Sequence, residues 1–111
     1  MESILTSIKK LLGITEEYEH FDDDLIMHIN SVFMVLNQLG VGPENGFAIT
    51  SKADQWSSYI SDPVKVAPVK TYMYQKVRLI FDPPASSSVI ESYKQMIYEF
   101  EWRLNVAAES S

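Results

Sequence analysis

Apolar side chains recur at three- and four-residue spacing along four separate stretches of this 111-residue chain. This spacing is that of one face of an α-helix, which completes a turn every ~3.6 residues. The clearest stretch has intervals of 4-3-4-3, formed by Leu25, Ile29, Val32, Leu36 and Leu39. We therefore predict an all-α fold, a single helical domain over residues 1–111 built as a small bundle of four main helices. These helices are predicted over about residues 4–12, 23–39, 66–81 and 89–105.

Capping side chains indicate where the predicted helices begin. Ser3 precedes the first helix and Asp22 precedes the second, and both side chains can accept a hydrogen bond from a free backbone N–H group. Pro68 is tolerated only in a first helical turn, where no backbone donor is needed, so the third helix is predicted to begin just before it. Ser88 and Glu91 have the spacing of a capping box, which predicts the start of the fourth helix.

The two later helices have predicted inward lines of apolar residues. On the third helix this line is Val69, Met73, Val77 and Ile80, with a polar stripe at Thr71, Gln75 and Arg78. On the fourth helix it is Val89, Tyr93, Met96, Ile97, Phe100 and Leu104. These lines are predicted to form the core together with the second helix.

Residues 41–64 differ from the rest, because turn signals replace the helical period there. We predict a long contact loop that holds a short helix between Ala53 and Ile60, capped by Asp54. Phe47 and Ile49 belong to a short extended piece and are candidate interface residues, because a connection this long in a small domain is usually functional. Residues 106–111 are predicted to be a loose tail.

The fourth helix carries aromatic side chains on its outward side. At ~100° per residue, Trp102 lies opposite the centre of the inward line and Tyr98 lies near it. Gln95 and Glu91 complete a line with them at 4-3-4 spacing. Exposed aromatic residues of this kind are common interface anchors, so these four residues are candidate interface residues. The alternative is that the segment 41–64 of the same subunit folds over this side.

Two methionines on the second helix also point away from its apolar line. Met27 and Met34 are seven residues apart, which places them on one side of a helix. Methionine suits adaptable contact surfaces, so both are candidate interface residues. The alternative is that another helix of the same subunit covers them.

Composition excludes several kinds of site. The chain has no cysteine, so it has no disulfide, zinc–thiolate site, iron–sulfur cluster or thiol nucleophile. Its net charge of −6 argues against gripping nucleic acid or an anionic membrane over a broad face. No apolar run reaches the ~20 residues that span a bilayer. We therefore expect no membrane partner and no specific binding of DNA.

Nothing in the sequence indicates catalysis. Six carboxylates fall between Glu16 and Asp24, but helix capping and the helix dipole explain the last three, and the spacing is not that of a calcium loop. The four glycines form no phosphate-binding loop. We predict that the protein is not an enzyme and needs no cofactor or metal. An enzyme that uses the acidic cluster with a divalent metal is the catalytic alternative.

The order of the segments resembles a known family. The resemblance rests on FDDDLIMHIN (residues 21–30), DQWSSYISD (54–62), RLIFDPP (78–84) and EWRLN (101–105). These segments are similar to those of the head–tail connector family of tailed bacteriophages, whose members are also called adaptor or head-completion proteins. The similarity runs from about residue 3 to about residue 105.

The resemblance implies a structural virion protein without catalysis or cofactor. In such a family the subunits form a ring between portal and tail, around the DNA channel, in the neck of a particle assembled in the host cytoplasm. The implied partners are further copies of the chain, the portal protein, and the next connector or tail protein, with DNA passing nearby without specific binding. The loop 41–64 and residues from about 105 to 111 would contact other subunits. The alternative is a small intracellular helical protein-interaction module.

Overall fold

Helices make up most of residues 2–109, the part of the chain that the computed structural model describes. In chain order these helices are α1 (Ile4–Leu11), α2 (Asp22–Gln38), α3 (Trp56–Tyr59), α4 (Pro63–Phe81) and α5 (Ser87–Glu109). The residues described contain no strand, and their one β-bridge joins Ser3 to Gln55. The predicted all-α bundle with a short helix in its long loop is confirmed.

Helix α4 is the centre of the bundle, because it packs against both α2 and α5 while α1 packs against α2. Val69, Met73 and Val77 of its predicted inward line are fully buried. Two predictions for α4 are wrong. Ile80 is 54% exposed, because it lies in the last turn. Gln75 is buried, because its side of α4 faces α5, where its Nε2 atom lies 3.5 Å from the sulfur of Met96.

A buried lysine joins α1 to α2. The Nζ atom of Lys9, which is 2% exposed, lies 2.8 Å from a carboxylate oxygen of Asp22. It also donates to the carbonyl oxygens of Glu16, at 3.0 Å, and Tyr18, at 2.8 Å. Asp22 is therefore not the N-cap of α2. It is the first helical residue, Phe21 is the cap position without a side-chain hydrogen bond, and the Asp22 carboxylate pairs with Lys9 instead.

Helix α4 begins three residues earlier than predicted. Asp62 is its N-cap and accepts a hydrogen bond from the backbone N–H of Val64, at 2.9 Å, while Pro63 occupies the first helical position. Proline suits that position, because its fixed φ is helical and its missing N–H is not needed there. Pro68 consequently lies inside the helix rather than in its first turn.

Helix α5 is longer than predicted at both ends. It begins at Ser87, so Ser88 lies inside the helix rather than at its cap. It continues to Glu109, so residues 106–109 of the predicted loose tail are helical, and the prediction for residues 110–111 lies outside the described residues. The C-terminal half of α5 is held to the end of α2, since the side-chain amide of Asn105 donates to the carbonyl oxygen of Leu39 at 3.1 Å.

The segment 41–64 packs on the core rather than projecting from it. The side chain of Asn30 accepts from the backbone N–H of Ile49, at 2.8 Å, and donates to its carbonyl oxygen, at 3.0 Å. Ile49, a predicted interface residue, is 1% exposed, so its side chain lies in the core of the isolated subunit and not on its surface. Phe47 is half-buried, with its ring centroid 5.1 Å from those of both Phe33 and Tyr59.

The short helix α3 is not capped as predicted. Asp54 accepts hydrogen bonds from the backbone N–H groups of Thr50, at 2.8 Å, and Ser51, at 3.2 Å, which stabilises the turn before α3 and lowers the pKa of the carboxyl group. The indole N–H of Trp56 donates to the hydroxyl of Ser7 at 2.8 Å and so fixes α3 to α1.

Candidate functional site

The outward side of α5 is exposed over its whole length. Of the 23 residues of α5, Ile97 is the one that is buried, whereas Tyr98 is 78% and Trp102 is 66% exposed. Gln95 and Glu91 are also exposed, so the structure brings all four predicted residues to one side of the helix. We call Tyr98 and Trp102 the aromatic face.

The inward side of α5 is also only partly covered. Val89 and Met96, which were predicted to face inward, are 40% and 43% exposed. The prediction for them is wrong because α5 packs on α4 along a narrower stripe than its apolar residues occupy.

Hydrogen bonds between α4 and α5 hold this narrow contact in place. The buried hydroxyl of Tyr72 donates to the carboxylate of Glu101 at 2.8 Å, and burial is the main reason why the pKa of Tyr72 is raised. The guanidinium of Arg78 donates to the hydroxyls of Tyr74, at 2.9 Å, and Tyr93, at 3.2 Å. The aromatic face is therefore carried by a helix whose orientation on α4 is fixed at two places.

The segment 41–64 does not cover the aromatic face. Its buried residues, Ile49, Trp56 and Tyr59, pack into the core on α1 and α2, and Trp102 stays two-thirds exposed. The alternative in which this loop folds over the aromatic face is therefore wrong for the isolated subunit.

A second exposed apolar strip lies on α2. Met27 and Met34 are each 60% exposed, so no other helix of the described subunit covers them. Ser31 lies between them, and its hydroxyl donates to the carbonyl oxygen of Met27 at 3.0 Å, which keeps this side chain against its own helix. We call Met27, Ser31 and Met34 the methionine face. It points away from Leu25 and Ile29, which are fully buried.

Comparison with known protein families indicates which kind of protein carries these two exposed faces. The model of the phage connector protein family matches residues 4–111, which is nearly the whole chain. The chain belongs to the phage connector protein family. No curated protein and no solved structure shows significant similarity to it. The resemblance read from the sequence is confirmed at the level of this family, which supports a structural protein of the phage connector type.

The subunit has a cleft that no sequence pattern indicates. It has a volume of about 660 Å³ and lies where the start of α4, the end of α5 and the segment after α2 meet. Its walls include Val41, Tyr59, Pro68, Leu104 and Ala108. No spacing in the sequence could reveal it, because its walls come from residues up to 68 positions apart, from Gly40 to Ala108.

The titratable side chains of the described residues lack the arrangement that a metal site needs. Among residues 2–109 no three His, Asp or Glu side chains are placed to hold a metal ion. Burial raises the pKa of Tyr59, which is a core residue beside Phe33. No helix in the same range has the length and apolar content needed to cross a membrane.

Proposed function

We propose that this protein is a head–tail connector subunit that forms a ring between portal and tail, around the DNA channel in the neck of the virion. Family membership over residues 4–111 supports the connector role. Its partners in this proposal are neighbouring copies of the chain, the portal protein, and the next connector or tail protein. The role is one of assembly, without catalysis.

The observation that carries the ring is the presence of two unlike exposed faces on one subunit. A ring needs head-to-tail contacts, in which each copy presents two different patches to its neighbours. The aromatic face on α5 and the methionine face on α2 are two such patches, since each combines large apolar side chains that are at least 60% exposed. Both helices pack on α4, and their exposed faces point away from it.

The net charge of −6 suits a channel through which DNA moves. An acidic protein repels DNA phosphates on average, because both are negatively charged. Binding would require basic groups that replace the counterions of the phosphates. The chain has nine Lys and Arg residues against fifteen Asp and Glu residues. DNA would therefore pass without adhering.

Quantitative mass spectrometry of purified phage particles tests this role, with the portal protein as internal standard. We expect this chain at a copy number close to that of the portal. Its absence from intact, infectious particles would overturn the proposal and favour a small intracellular interaction module, which would use the same exposed faces on another partner.

The contribution of the aromatic face is tested by replacing Trp102 with Glu. We expect the variant subunit to fold normally, because Trp102 packs on nothing in the core. We expect the particles either to lack the variant subunit or to lack tails. Val89→Glu is the matched control, because Val89 is a partly exposed apolar residue on another side of the same helix. Normal assembly of Trp102→Glu into infectious particles would show that the aromatic face is not an interface.

A further inference from the structure

We infer that the two faces bind each other: the methionine face of one copy packs on the aromatic face of the next, with α2 and α5 parallel. This inference rests on the proposed ring. In this arrangement both faces bind other copies of this chain. Three observations carry it, namely the chemistry of the two faces, their spacing and their charges.

The chemistry of the faces is complementary. A thioether makes favourable contacts with aromatic rings, with the sulfur ~5 Å from the ring. The methionine face presents two thioethers and the aromatic face presents an indole and a phenol ring, all of them exposed in the single subunit. Methionine side chains are also flexible enough to close around rings of different shape.

The spacing of the faces gives a matching surface shape. Ser31 lies between Met27 and Met34, four residues after one and three before the other, so a small residue leaves a depression between two long side chains. Trp102 follows Tyr98 by four residues. When Met27 lies beside Tyr98 in a parallel arrangement, Trp102 therefore lies beside Ser31 and fills the depression.

The charges favour the parallel orientation. Asp23 and Asp24 begin the exposed side of α2, which has no Lys or Arg, and no cation pairs with them within residues 2–109. Lys94 makes no ion pair in the same part of the chain. Asp23 precedes Met27 by four residues, and Lys94 precedes Tyr98 by four. The parallel register that matches the apolar residues thus also brings Lys94 beside the two carboxylates.

The antiparallel orientation loses this match. With Met27 beside Trp102, the carboxylate of Asp23 would lie beside Val106, which offers no charge. The nearest cation on that part of α5, Arg103, is already paired with Glu99 at 2.7 Å. Of these two arrangements, the parallel one satisfies the apolar and the charged groups at once.

Cysteine cross-linking tests the contact, because the chain has no cysteine of its own. The inferred register places Gln38 at the end of the methionine face beside Glu109 at the end of the aromatic face. Neither residue carries the inferred contact. Because the face is one helix wide and a stable interface takes ~800 Å² per partner, the reaction is run at about 1 mM protein with a short bismaleimide.

We expect Gln38→Cys/Glu109→Cys to give a ladder of dimers, trimers and higher species. Each single variant should give dimers at most, because one cysteine per chain cannot link three chains. The control pair Gln38→Cys/Glu91→Cys should give no ladder, because Glu91 and Glu109 are separated by about 27 Å along α5. A ladder from the control pair, dimers alone from the double variant, or no product would each overturn the inference.

Charge reversal gives a second measurement. Adding Lys94→Glu to Gln38→Cys/Glu109→Cys should lower the yield of the ladder about fivefold, as expected for one exposed pair. Adding Asp23→Lys and Asp24→Lys as well should restore it, and an unchanged yield in both variants would contradict the inferred register. If mass spectrometry finds this chain in particles at the copy number of the portal protein but cross-linking gives no ladder, the contact is overturned and the proposed function still stands.

Discussion

Replacing Lys9 with Met removes the charge that joins α1, the following loop and α2. The Nζ atom of Lys9 forms an ion pair with a carboxylate oxygen of Asp22, at 2.8 Å, and donates hydrogen bonds to the carbonyl oxygens of Glu16 and Tyr18, at 3.0 and 2.8 Å. Methionine has a similar length, so it keeps the apolar packing of the stem and removes only the polar contacts.

The expected loss of folding stability comes from the Asp22 carboxylate, which Lys9→Met leaves without its cation. Removing one partner of a buried ion pair costs about 3–5 kcal/mol, because the other charge stays buried without compensation. The side chain of Asp22 is 18% exposed, and Glu16 and Tyr18 are exposed residues, so water replaces part of the lost contacts. We therefore expect the free energy of unfolding to fall by about 3 kcal/mol, at the low end of that range. The Tm should fall by about 12 °C for a domain of this size.

Urea unfolding followed by far-UV circular dichroism measures this cost. Lys10→Met is the matched control, because Lys10 is the next residue and is exposed, and it should change the free energy of unfolding by less than about 0.5 kcal/mol. In an Asp22→Asn background the cost of Lys9→Met should shrink by at least about 1 kcal/mol, since the partner charge is already absent. Equal costs for Lys9→Met and Lys10→Met, or no change in the Asn background, would refute the reasoning.

Three further outcomes are expected from urea unfolding. Gly42→Ala should lower the free energy of unfolding by about 3 kcal/mol, because the new Cβ would overlap the ring of Tyr59 at a φ of +86°. Gly13→Ala, at a φ of +81° in open space, should cost only about 1 kcal/mol, and equal costs would contradict this. Gln75→Leu should stabilise the protein by about 1 kcal/mol, because it removes a buried amide oxygen without a hydrogen-bond partner, and a lower urea midpoint would contradict this. Above pH ~10 the free energy of unfolding should fall by about 1.4 kcal/mol per pH unit for each of Tyr59 and Tyr72. The folded state keeps protons that the unfolded state releases there, because the pKa of both tyrosines is raised on folding, so Tyr72→Phe should remove its share of the slope.

The helices could be predicted because each carries its own periodic signal, but their ends depend on contacts elsewhere. Asp22 is of a residue type that favours the N-cap position. Its carboxylate is directed away from the backbone of α2 by Lys9, which lies thirteen residues earlier in the chain. The start of α4 was predicted too late because Pro68 was expected to lie in the first helical turn. The combination of Asp62 and Pro63 was the stronger signal, because a capping carboxylate before a proline satisfies the first turn directly.

The candidate site was predicted where one helix defines it and missed where several segments do. Trp102 and Met34 stand opposite the apolar lines of their own helices, so the period of a single helix places them at the surface. Ile49 lies in an irregular segment, and its burial depends on the side chain of Asn30, which binds both of its backbone groups from 19 residues away. No local pattern encodes such a contact.

The distribution of buried residues links the stability of the subunit to its assembly. Helix α5 has one buried residue in 23, whereas α4 has six in 19, so α5 gains least from the fold of the single subunit. Most helical stability in proteins comes from the packing of an apolar face, and α5 leaves its aromatic face unpacked. A neighbouring copy that covers Tyr98 and Trp102 would bury side chains on the helix that has the fewest buried residues of its own. Binding of that copy would then stabilise the packing of α5 by mass action.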